Sequence, residues 1–131
     1  MAFTTALICF GLITLVMLFI EIMTTYATQG FAFGFSSNRK VVDHYGPVAL
    51  RVRRAYQNQI ESAAYGLPVL AAAAVTGLQS PGAQTAALLF VVGRAAFAVL
   101  YYSGIPFIRI PAFAMGTLST LYIAYVMLSG G

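Results

Sequence analysis

The chain has 131 residues, 60% of them hydrophobic and 8% charged, with a mean hydropathy of +0.86. Soluble domains carry about 25% charged residues, so this composition excludes an ordinary water-facing surface and implies a single-domain, all-α integral membrane protein. The formal net charge of +4 does not point to nucleic acid, because the basic residues sit in connections and at helix ends, where membrane topology places them.

The length allows roughly four membrane helices of about 20 residues plus connections. The first is predicted over 3–28. Its core is apolar except for Glu21, which could couple to a proton or bond a neighbouring helix. The N-terminus lacks the positive region of a secretory signal, so this helix is expected to be retained. Cys9 is the only cysteine and forms no intrachain disulfide. A long polar connection follows over 29–50, with Arg39, Lys40, Asp43 and His44. Connections of this length are often functional. Phe31, Phe33 and Phe35 alternate within it and suit a membrane interface.

The second helix is predicted over 49–77, with Pro68 expected to kink or loosen it. Its first third holds Arg51, Arg53, Arg54, Asn58 and Glu61. Arg54, Asn58 and Glu61 stand at i, i+4 and i+7 and share one face. In lipid a charged group costs about 2.5–3.5 kcal/mol at the helix centre, so the stripe must face protein, water or a ligand. Anchoring at the membrane surface explains Arg51 and Arg53. It does not explain Asn58 and Glu61, which lie deeper.

The third helix, over 83–102, carries Arg94 near its middle, where it cannot snorkel to water. Arg94 is expected in a structural ion pair that orients the site, with Glu61 as candidate partner. Phe97 and Tyr101 continue its face. The fourth helix, over 109–128, opens with Arg109 and has a small-residue face of Gly116, Thr117, Ser119 and Thr120 suited to close packing. Basic residues cluster in the first and third connections, so these are expected in the cytoplasm and both termini outside it. Arg54, Asn58, Glu61, Tyr101 and Arg109 then lie at one end of the bundle. No metal-ligand spacing occurs.

Four stretches carry a resemblance. Arg51-Val52-x-Arg54-Ala55-x-x-Asn58-x-x-Glu61 is similar to the second-helix signature of the MAPEG superfamily, the membrane-associated proteins in eicosanoid and glutathione metabolism. Arg94-x-x-Phe97-x-x-x-Tyr101 matches its third helix. Ser37-Asn38-Arg39-Lys40 and Ile105-Pro106-x-x-Arg109 resemble its bacterial branch. The resemblance implies a four-transmembrane-helix bundle in a homotrimer, in the bacterial inner membrane. It implies glutathione as thiol co-substrate, bound by Arg54, Asn58, Glu61 and Tyr101, with Arg39 reaching in from the neighbouring subunit. Arg109 would be the catalytic residue, favouring the thiolate. Ser62, Phe97 and Ile110 depart from the pattern, and each lacks a hydroxyl or tyrosine that some members have there.

The leading expectation is a membrane-bound glutathione transferase or peroxidase acting on lipophilic electrophiles. The departures leave open a non-catalytic subunit or scaffold of a larger membrane complex. Glu21 leaves open a small proton-coupled multidrug transporter.

Overall fold

The computed structural model describes residues 1–37 and 45–130. These residues form α1 (Phe3–Gln29), α2 (Phe31–Phe35), α3 (Pro47–Thr76), α4 (Pro81–Ser103) and α5 (Arg109–Leu128), with no strand among them. The long helices match the predicted segments to within a few residues. The short α2 lies where only a connection was expected. Gly30, at φ 86°, interrupts the helix after Gln29. The chain then folds back so that Phe31 and Phe35 pack on Tyr26, with ring centroids at 5.2 and 5.3 Å.

Local sequence sets the helix ends. Pro47 opens α3 at a position where the missing N–H has no intrahelical partner to lose. Gly77, in the left-handed region at φ 66°, closes it. The helix continues through Pro68. Ser80 caps α4, its hydroxyl accepting from the Ala83 amide at 3.2 Å.

The main core is built from alanines and a few large rings. Phe10 of α1 stacks on Phe90 of α4 at 5.5 Å, flanked by Leu70, Ala73, Ala83, Ala87 and Ile123. The closest pairing is α4 with α5, where a Cβ on Gly93 would stand 3.0 Å from the Ala112 carbonyl oxygen and the Gly116 nitrogen. A methyl group there would have to push the two backbones apart by a few tenths of an ångström, so the glycine favours the close approach. A second cluster of Met17, Ala55 and Ala98, with Tyr56, Tyr101 and Tyr102 against it, joins α1, α3 and α4 near the polar end.

The outer faces of α1 and α5 expose Leu12, Leu15, Phe19, Leu118, Leu121 and Leu128. Such faces suit lipid. By length and composition α1, α4 and α5 are apolar enough to cross a membrane. The 30-residue α3 is longer than any of them, but its first half carries Arg51, Arg53, Arg54, Asn58, Gln59 and Glu61.

Candidate functional site

Arg94 organises the site. It is fully buried at 0% exposure, in an apolar helix where a guanidinium needs acceptors. Its Nε donates to Gln59 Oε1 at 3.1 Å and its Nη2 donates to Asn58 Oδ1 at 2.8 Å. Gln59 Nε2 in turn donates to Thr14 Oγ1 at 3.0 Å, and the Thr14 hydroxyl donates to the Phe10 carbonyl at 2.8 Å. One relay thus ties α4 to α3 and α3 to α1. The remaining Arg94 nitrogen, Nη1, meets no acceptor among the described residues. The guanidinium lies over the Phe97 ring, 4.6 Å from its centroid, a contact that offsets part of the desolvation.

The expected Glu61–Arg94 ion pair is therefore corrected: two neutral amides hold Arg94, and no ion pair joins it to Glu61. Helix rotation is the reason. Each residue turns the helix by about 100°, so two residues turn it by about 200°. Gln59 points into the bundle, fully buried, and Glu61 consequently points out and is exposed.

From Arg94 a series of ring contacts leads to the end of the bundle. Phe97 packs on Tyr101 at 5.5 Å and on Phe113 at 5.9 Å. The Arg109 guanidinium lies over the Tyr101 ring at 4.8 Å. Asn58, Arg94, Phe97, Tyr101 and Arg109 are thereby linked across α3, α4 and α5. Arg54 and Glu61 flank Asn58 on α3, both exposed and neither in an ion pair among the described residues. Tyr65 continues their face one turn on, its hydroxyl 3.5 Å from Thr117 Oγ1 of α5. Arg39 lies outside the described residues.

The other polar groups are engaged elsewhere. Arg51 Nε donates to the Tyr102 carbonyl at 3.2 Å, fastening the start of α3 to the end of α4. Glu21 of α1 lies 3.8 Å from Arg53 of α3, so it makes a helix–helix contact. Beside it, Leu18, Ile22, Thr25, Tyr26 and Tyr56 line an open cleft of about 330 Å³.

The three departures differ in setting. Ser62 is buried and donates to the Gln59 carbonyl at 2.7 Å. Phe97 is buried over Arg94, whereas Ile110 is exposed. Sequence reasoning missed Gln59, Thr14 and Tyr65. The signal for Gln59 was the Asn58-Gln59 pair itself, two adjacent amides offering oxygens to a buried arginine. Tyr65 extends the stripe spacing to i+11.

Chemically, the arrangement offers cations at Arg54 and Arg109, a carboxylate at Glu61, and an amide and a phenol between them. It suits a zwitterionic ligand with acidic groups. Comparison with curated proteins and with solved structures returns no match. The sequence model of the MAPEG family matches residues 4–129, nearly the full length. This all-helical membrane chain belongs to the MAPEG family.

Proposed function

We propose that the protein is a membrane-bound glutathione transferase, with a homotrimer as its working form. The observation that carries this reading is the Arg54–Asn58–Glu61 stripe, exposed at both ends and half-buried at Asn58, connected to Tyr101 and Arg109 through Arg94 and Phe97. Glutathione has two carboxylates, an amine and a thiol. Arginine suits carboxylates because its planar fork donates two parallel hydrogen bonds, so Arg54 takes a carboxylate and Glu61 the amine. Tyr101 contacts the tripeptide, and Arg39 reaches it from a neighbouring subunit.

Arg109 favours the thiolate, since a nearby cation stabilises the ionised sulfur. The thiol proton leaves to water. The sulfur then bonds to the electrophilic carbon of a lipophilic substrate, and the leaving group departs with its electron pair. In the related reaction, the thiolate attacks a lipophilic peroxide and the O–O bond breaks to release the alcohol. A second glutathione then attacks the oxidised sulfur, which loses its oxygen as water and leaves glutathione disulfide. The apolar substrate arrives from the bilayer.

In this reading α3 also crosses the membrane, giving four spans. Its polar half is covered by the neighbouring subunit and the ligand, which removes the cost of exposing it to lipid. The basic first and third connections face the cytoplasm of a bacterial cell, and both termini lie on the far side of the inner membrane.

The test is an assay of glutathione conjugation to an apolar aryl halide by the detergent-solubilised protein. Arg109→Ala is expected to slow turnover about 100-fold, the scale for loss of one charge-stabilising group, while glutathione affinity changes little. Wild type that binds glutathione without any turnover of halide or peroxide would favour the non-catalytic subunit reading, to which Phe97 in place of a tyrosine already leans.

A further inference from the structure

A guanidinium has five N–H donors and no acceptor. Any carboxamide that faces it must present oxygen, and its NH2 group must then point the other way. Arg94 faces two carboxamides. The NH2 of Gln59 is used inside the bundle, on Thr14 Oγ1. The NH2 of Asn58 meets no acceptor among the described residues, because only its oxygen is taken, by Arg94 Nη2 at 2.8 Å. Asn58 is half-buried, between the exposed Arg54 one turn before it and the exposed Glu61 one turn after.

We propose that Arg94 is a positioning residue: it locks Asn58 with its NH2 toward the open stripe, so that the centre of the stripe bonds only to an acceptor on the ligand, a carboxylate or peptide carbonyl. An asparagine without such a neighbour can turn its amide over and serve either kind of group. Here, turning over would set NH2 against guanidinium N–H and leave both without partners, which buried donors do not tolerate. The second amide reinforces the lock. Gln59 occupies Arg94 Nε, so the guanidinium cannot swing away from Asn58 without breaking a relay that ends in α1. Read from Arg54 to Glu61, over about 10 Å of helix, the stripe offers cation, donor, acceptor. That order fits a ligand whose acidic or carbonyl group lies by Arg54 and Asn58 and whose amine lies by Glu61. The inference rests on the glutathione reading for the identity of the ligand, and not for the direction of the amide.

Asn58→Asp separates the two roles of this side chain. It keeps an oxygen toward Arg94 and gives the buried cation a counter-charge, but it replaces the outward NH2 with a second acceptor. Asn58→Leu removes both ends and serves as the comparison. Each variant and the wild type are melted in detergent and titrated with glutathione by calorimetry. Asn58→Asp is expected to melt at or above the wild type and to bind glutathione at least about tenfold more weakly; Asn58→Leu is expected to lose both. A purely structural Asn58 would make affinity follow melting temperature across all three proteins. Binding by Asn58→Asp within about twofold of wild type overturns the proposal, as does a melting point several degrees below wild type. If the wild type binds no glutathione, the functional reading has failed. Melting of Asn58→Asp then still tests the lock: a loss of several degrees would mean that no oxygen at position 58 serves Arg94.

Discussion

Arg94 shows how a buried charge is made tolerable without a second charge. Its two amide partners cost less to bury than a carboxylate would, and they are fixed by the same α3 turn that presents the exposed stripe. Gln59 carries more of this than its neutral character suggests, since it bonds both Arg94 and Thr14. Gln59→Leu should lower stability by about 1–3 kcal/mol, because a buried donor on Arg94 is left unpaired. Thr14→Val removes only the outer bond of the relay and should cost about 0.6 kcal/mol, the average for a bond between membrane helices. Reversible unfolding in mixed detergent would measure both. Equal losses would mean that Gln59 does not hold Arg94. The presence of a polar stripe and of a buried arginine was legible in the sequence. Their pairing was not, because it depends on which of Gln59 and Glu61 rotates inward, and spacing alone assigns faces without saying what each one meets.

The helices themselves were largely legible. Apolar runs marked α1, α4 and α5, and Pro47, Gly77 and Ser80 stand at ends that sequence rules assign to such residues. The short α2 was not, since Phe31, Phe33 and Phe35 alternate as an interface segment would, and only the packing on Tyr26 favours a helical turn. The α4–α5 pair depends on the absence of a side chain at Gly93. Gly93→Ala should destabilise by about 1–3 kcal/mol, because the atoms that a methyl group would meet are backbone and cannot rotate away. Ser80→Ala should cost about 0.5–2 kcal/mol through the lost helix cap, without disturbing Arg94. Thermal melts of the two variants, with glutathione titrations beside them, would separate packing from capping: the Gly93 change displaces the start of α5 and should weaken binding, and the Ser80 change should not.

At the scale of the molecule, the odd element is α3. Its inner face is consumed by the core and by Arg94, yet Arg54 and Glu61 remain exposed on a helix surrounded by spans made for lipid. A lone subunit would leave both in the bilayer or at its edge, whereas the proposed trimer would set α3 against a neighbour. Light scattering on the detergent-solubilised protein should give the protein mass of three chains, and a single-chain mass would leave the exposed stripe without cover. The all-helical membrane fold was anticipated from composition and apolar runs, and family membership from the second-helix signature. The chemistry of the site is tied to a ligand that only binding can identify. Calorimetric titration of the purified protein with glutathione tests that most directly. Wild type should bind and Arg54→Ala should not, with unchanged melting temperature. No heat from the wild type at millimolar glutathione would contradict the account.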